Sequence, residues 1–231
     1  MAVIHNTTLT PGKLELLAAW IPGQPWYLGE GREPELAKAG GFRLDDPSGE
    51  VGIEFMAVTD ASGPQPTTYL VPLSYRGAPL GGADKALIGT AEHGVTGRRW
   101  IYDGIHDPVL VAQLLALLLG ETAAQHQNVS DVADPSVTST FTGSGLSART
   151  APTAVTNGPQ ATDLLVPTAT APGSPTGRAG HLTVRLNRIL TADPDGASTS
   201  AANDLGQVTA DWLLPDGTTA RAPIVTVHAQ P

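Results

Sequence analysis

Cysteine is absent from the 231 residues, which removes disulfides, thiolate nucleophiles and cysteine-type zinc sites in one step. Lysine is scarce: Lys13, Lys38 and Lys85 are the whole supply. Any chemistry that needs a lysine amine must find it within the first 85 residues. Thirteen Lys and Arg against 22 Asp and Glu give a formal charge of −9. With no basic stripe to release counterions from phosphates, nucleic acid is excluded as a partner. Long apolar runs are missing as well, since the longest, residues 109–119, is about half of the roughly 20 residues that cross a bilayer. The N-terminus, Met1-Ala2-Val3-Ile4-His5-Asn6, shows neither the basic nor the apolar part of a signal peptide. The expectation is a soluble, cytoplasmic protein with no membrane partner.

Compact catalytic signatures are absent too. There is no G-x-x-x-x-G-K-[ST] phosphate loop, no kinase-type catalytic loop and no H-E-x-x-H pair. Gly143-Ser144-Gly145 lacks the full nucleophile elbow and reads as a turn. No catalytic residue, metal ligand set or cofactor is expected.

Against this background one stretch stands out: Arg98-Arg99-Trp100-Ile101-Tyr102-Asp103-Gly104-Ile105-His106-Asp107-Pro108. It concentrates arginine, aromatic, aspartate and histidine side chains in a chain otherwise poor in charge and aromatics. Asp107 has the character of a helix N-cap and Pro108 that of a first helical residue, with the helix running to about Leu119 and ended by Gly120. Arg99 and Asp103 have the same parity on a strand and are expected to share a face and pair. With Glu92, Arg98 and Asp107, the two histidines His93 and His106 complete the cluster, but their spacing matches no closed metal motif. Glu50, Glu54, Asp103 and Asp107 are the carboxylates from which a glycosidase pair could be drawn, and the sequence does not pair them. If the region binds a ligand, the residues to carry it are Trp26, His93, Arg99, Trp100, Asp103 and His106. A small sugar would stack at a Trp26/Trp100 surface, although core packing is the commoner use of tryptophan.

Periodicity supplies the rest of the first half. Pro11 to Trp20 reads as a helix with Leu14, Leu17 and Ala18 on one face and Thr10 as N-cap. Strands are expected at 36–44, 51–59, 67–75 and 99–105, joined by Asp/Gly/Pro/Ser turns suited to antiparallel hairpins. From about residue 121 the chain turns rich in Ala, Thr, Ser, Gly and Pro, and a domain boundary is placed at 122/123. Residues 123–231 are expected to form a small β-rich unit. Its strands lie near 137–141, 181–190 and 208–214, the last returning through Pro215-Asp216-Gly217 to 224–227. Residues 149–180 and 192–206 read as mobile loops. The all-round apolar helix at 109–119 is expected between the two halves.

The order of features in residues 10–120 resembles a known family. A helix is followed by Trp20-Ile21-Pro22-Gly23-Gln24-Pro25-Trp26-Tyr27, then antiparallel strands, Leu87-Ile88-Gly89-Thr90, Tyr102-Asp103-Gly104-Ile105-His106-Asp107-Pro108 and an apolar helix. This order is similar to the N-terminal cap domain of actinobacterial maltokinases and related aminosugar kinases. The resemblance implies an α+β domain, a curved antiparallel sheet with flanking helices, over residues 1–122, followed here by the second, β-rich domain. In that family the cap precedes a two-lobed kinase that phosphorylates a sugar with ATP and magnesium. The roughly 110 residues beyond the cap are too few for such a lobe. His181–Leu190 with Asp193-Pro194-Asp195 looks like a worn copy of the strand bearing the nucleotide lysine, Arg185 or a neighbour standing in its place, so no catalytic residue carries over. The resulting expectation is a non-catalytic accessory or regulatory protein of sugar phosphorylation or α-glucan and trehalose metabolism, with a sugar kinase or glucan-pathway enzyme as partner. The alternatives are a small-sugar-binding module and, last, a carbohydrate-active enzyme of the α-glucan branching type.

Overall fold

The computed structural model describes residues 9–129, 131–169, 180–192 and 204–230. Met1–Asn6, Asp193-Pro194-Asp195 and the parts 170–179 and 193–203 of the expected loops lie outside them. In chain order the strands and helices are β1 (Leu9–Thr10), α1 (Lys13–Trp20), β2 (Leu36–Leu44), β3 (Gly52–Asp60), β4 (Thr67–Arg76), β5 (Leu87–His93), β6 (Gly97–Asp103), α2 (Pro108–Leu118), β7 (Gln125–His126), β8 (Thr138–Phe141), β9 (Ala154–Asn157), β10 (Ala161–Pro167), β11 (His181–Asn187), β12 (Ile189–Leu190), β13 (Asp204–Leu213) and β14 (Thr219–Ala229). Every pairing is antiparallel. The strands join in one open sheet of order β1-β5-β6-β4-β3-β2-β13-β14-β11-β10-β9, with β12 on β4, β7 on β2 and β8 on β13. Among the described residues, two α-helices on an antiparallel sheet make this an α+β fold.

The expected hairpins form, and their loops explain why. Asp46 accepts hydrogen bonds from the backbone N–H groups of Ser48, Glu50 and Val51 and from the Ser48 hydroxyl, closing the β2–β3 turn. Asp60 accepts from the N–H groups of Glu35 and Ser62 and from the Tyr27 hydroxyl, closing β3–β4. Short carboxylate side chains satisfy turn amides that no strand can reach.

β3 alternates between two buried faces rather than between a buried and an exposed one. Ile53, Phe55 and Ala57 face one core with Phe42 and Leu44 of β2, while Met56 and Val58 face another with Leu17, Ile21, Trp26 and Tyr69. Both faces of this central strand are covered, α1 and the Trp20–Trp26 turn on one side and α2 on the other, so the residues of both parities are buried. Helix α1 begins at Lys13 rather than Pro11. Gly12 stands at its N-cap, its N–H donating to the Glu15 carboxylate, while Thr10 belongs to β1 and pairs with Glu92.

Helix α2 forms as expected. The Asp107 carboxylate accepts from the Val109 N–H at 2.9 Å, and the chain leaves the helix through Gly120 at φ +71°, a conformation that favours glycine. Leu110, Val111, Leu114, Leu115, Leu117 and Leu118 sit in one core with Phe42 and Phe55 from the first half and Val184, Val208, Trp212 and Val225 from the second. Eleven residues long, it is far short of a bilayer; among the described residues no helix is long and apolar enough to cross a membrane.

Residues 149–180 correct the loop expectation where they are described. Ala154–Asn157 and Ala161–Pro167 are paired strands, and Thr162, Leu164 and Val166 are fully buried against β11. Leu164-Leu165-Val166 supplies the apolar surface that the average composition of the stretch conceals. The other long expected loop, 192–206, is likewise strand from Asp204 onward. The expected strand 181–190 is interrupted at Arg188 into β11 and β12.

Leu114 is fully buried in this shared core, so Leu114→Ala should cost about 2–5 kcal/mol. Urea unfolding followed by tryptophan fluorescence checks this; a loss below about 1 kcal/mol would show that α2 is not packed as described.

Candidate functional site

The junction at 98–108 is built by β6, a single 3-10 turn at Gly104–His106, and α2. Its two aspartates point to different arginines. Asp107 is held bidentately by Arg76 of β4, with Nε to Oδ2 and Nη2 to Oδ1 both 2.6 Å. Burial opposes its ionisation, yet Arg76, Ser74 and the Val109 N–H together keep its carboxyl below the ordinary range. A brace between helix and sheet therefore exists, and Arg76 rather than Arg98 or Arg99 supplies it.

Asp103 meets Arg188, from 85 residues further along the chain, with Nη2 to Oδ2 at 2.5 Å. Both side chains are sealed from solvent, at 0% and 2% exposure. The Arg188 Nε–H donates to Thr162 Oγ1 at 2.8 Å, and the Thr162 hydroxyl donates to Asn157 Oδ1 at 2.6 Å. The guanidinium lies over the Trp26 ring, 5.0 Å from its centroid, a desolvated cation–π contact. Among the described residues, Asp103 Oδ1, Arg188 Nη1 and Trp26 Nε1 have no hydrogen-bond partner.

The backbone explains how an arginine comes to be buried there. β6 covers β4 from Leu73 to Arg76, β12 covers Thr68 and Tyr69, and Arg188 stands in the interval. The Leu70 N–H donates to the Arg188 carbonyl at 2.8 Å. Two residues on, the next nitrogen on that edge belongs to Pro72, which has no N–H to satisfy. The sheet thus tolerates a gap, and the guanidinium fills it.

The six candidate ligand residues divide into two groups. Trp26 and Asp103 contact Arg188, and His106 stands near the same pair. His106 is half-buried; burial pushes its pKa down, the Asp103 charge opposes that and the Arg188 charge reinforces it. His93, Arg99 and Trp100 lie apart on the β5–β6 hairpin. His93 Nδ1 accepts from the Thr96 N–H at 3.1 Å, and the Arg99 Nε–H donates to Thr96 Oγ1 at 2.9 Å. Trp100 is half-exposed opposite Thr90. Arg99 does not reach Asp103: equal parity four residues apart on a strand still leaves roughly 13 Å between the two. Trp26 is fully buried, so no sugar ring can stack on it, and a shared Trp26/Trp100 surface does not exist.

Of the four carboxylates considered for acid–base work, three are held by cations. Glu54, nearly sealed, accepts from Lys13 Nζ at 2.5 Å, from the Tyr75 hydroxyl at 2.7 Å and from Gln127 Nε2 at 2.8 Å. Burial works against its charge, but Lys13 and Tyr75 hold its carboxyl below the ordinary range. Arg185 pairs bidentately with Asp163 at 2.8 and 2.9 Å on the open face of β11, a cross-strand pair. Among the described residues no three His, Asp or Glu side chains gather as a metal would require. Sequence reasoning missed Arg188; the signal present was an arginine lodged inside the apolar run Leu186-Asn187-Arg188-Ile189-Leu190.

Residues 20–107 match the maltokinase N-terminal cap domain family, so the chain carries a cap-like domain there, ending on the Asp107 helix cap. No curated protein matches the chain.

The Asp107–Arg76 pair predicts a pH signature. A depressed carboxylate pKa stabilises the fold above the ordinary carboxylate value of about 4, and the contribution disappears as pH falls through the lower native value. The stability gap between wild type and Arg76→Gln should therefore be widest above about pH 4 and close below it. Urea midpoints measured from neutral to acidic pH test this; a gap independent of pH refutes it.

Proposed function

We propose that the protein is a non-catalytic accessory or regulatory protein of sugar phosphorylation or of α-glucan and trehalose metabolism. It acts by contact with a sugar kinase or a glucan-pathway enzyme. Residues 1–122 serve as the cap-like unit and 123–231 as a β-rich unit docked on it.

One observation carries the reading. The span matching the maltokinase cap holds its conspicuous aspartates in internal ion pairs, Asp103 with Arg188 and Asp107 with Arg76. A general acid or nucleophile needs a carboxylate that reaches substrate and changes protonation or bonding during turnover. Asp103 and Asp107 are turned inward and fixed by bidentate or fully desolvated arginines, which suits a framework rather than a reaction. The cap-type scaffold supplies the link to sugar kinases.

Mixing the purified chain with a purified maltokinase, followed by size-exclusion chromatography and a coupled ADP assay, tests the proposal. A co-eluting complex that changes the kinase's kcat or KM is expected. Two results oppose it: no complex with the kinase or with a glucan-pathway enzyme, or product formed by the chain alone from maltooligosaccharides and ATP. Titration with trehalose, maltose and glucosamine separates a sugar-binding module, which would bind one of them without any protein partner.

A further inference from the structure

Two of the three lysines stand on one face of the sheet for a structural reason. Lys38 and Arg43 are five residues apart on β2, so regular alternation would send them to opposite faces. A β-bulge between Lys38 and Gly40 changes that. Lys38 pairs with Val58 and Arg43 with Glu54, partners four residues apart on β3 and hence on the same side. The extra residue re-aims Lys38 onto the face of Glu54, a use for which bulges are known. The next residues accommodate the distortion: Gly40 and Gly41 take φ of +155° and +130°. A Cβ on Gly41 would meet the Phe55 carbonyl at 2.1 Å and Gln127 Nε2 at 2.7 Å, so a glycine there lets Gln127 reach Glu54. Lys13 arrives over the same face from α1.

The charge balance at this spot differs from the other ion pairs. Arg76, Arg98, Arg185, Arg188 and Arg221 each meet a carboxylate of their own. Here Lys13 and Lys38 share Glu54, which is buried and occupied by Lys13, Tyr75 and Gln127. Lys38 is exposed on β2 and has no ion-pair partner among the described residues. In a chain of charge −9, this is a local surplus of positive charge set into the sheet by a bulge.

We propose that the face formed by Lys13 and Lys38 beside Glu54 is an anion site that takes a phosphoryl group, with Lys38 as its principal cation. A lysine ammonium is a compact point charge suited to a phosphate oxygen, and the fixed Glu54 holds Lys13 at the edge of the site. Consistent with this geometry, the Lys38 amine is lowered from its usual range by partial desolvation, with the Glu54 charge opposing the effect and the Lys13 charge adding to it. An arriving dianion would relieve that repulsion. The inference stands on the bulge and the lysines, independently of the proposed pathway.

The small lysine count makes a direct test available: NMR of the full chain labelled at lysine Cε, where only three signals arise. Titration with inorganic phosphate, glucose 1-phosphate and glucose should shift the Lys38 and Lys13 signals with the first two and leave Lys85 unmoved. Binding of both anions assigns the phosphoryl group alone; binding of glucose 1-phosphate only adds the sugar to the ligand. Lys38→Gln, an exposed change that spares the core, should weaken binding about tenfold, the loss of one charge-assisted contact. The proposal is overturned if neither anion moves Lys38, if glucose binds as well as its phosphate, or if Lys38→Gln binds like wild type.

Discussion

The arrangement depends on one buried guanidinium. Arg188 joins the end of β6, the β10 strand, the Trp26 ring and the edge of β4, elements drawn from both halves of the chain. Removing a cation from water costs several kcal/mol, and an ion pair in the interior seldom gives back much more than that. The pair is therefore a device of specificity more than of net stability. It makes any arrangement that separates Asp103 from Arg188 expensive, because each would then be buried alone. Arg188, Asp103 and Trp26 each keep one polar atom without a partner among the described residues, and a chain accepts that only where packing leaves no alternative.

That constraint reorders the reading of the 98–108 stretch. Its concentration of charge suggests a reactive surface, but its aspartates face inward to Arg188 and Arg76. The charge left outward is that of Arg98 against Glu92 on the hairpin and Arg99 against Thr96, solvated pairs of small energetic consequence. The cap-like scaffold is thus rigid at its helix junction and polar at its hairpin. Two of the three lysines, Lys13 of α1 and Lys38 beside the β2 bulge, lie on a different face, beneath α1.

The elements of the first half were legible because their signals are local. Alternation over nine or ten residues gave β2, β3 and β4, aspartate-rich turns gave their hairpins, and Asp107-Pro108 gave the start of α2. What escaped depends on contacts distant in sequence. β9 and β10 lie in a stretch whose mean composition is polar, and only the neighbouring β11 makes Leu164 and Val166 a core. Trp26 and Asp103 were singled out without Arg188, since nothing local connects a residue at 103 with one at 188. Arg99 seemed the natural partner of Asp103 because proximity in sequence is the only proximity a sequence displays. The motif order from Trp20 to Pro108 pointed to the cap domain, and the match over 20–107 agrees with it.

The central claim is that the charge at the junction fixes the arrangement of the fold rather than performing a reaction. A double-mutant cycle on Asp103 and Arg188, read by urea unfolding, tests it most directly. Each alanine substitution should cost about 3–5 kcal/mol by stranding its buried partner, and the double variant should lose less than the sum by about 0.5–3 kcal/mol. Stability unchanged in Asp103→Ala, or two losses that simply add, would contradict the account and return Asp103 to the list of residues kept for function.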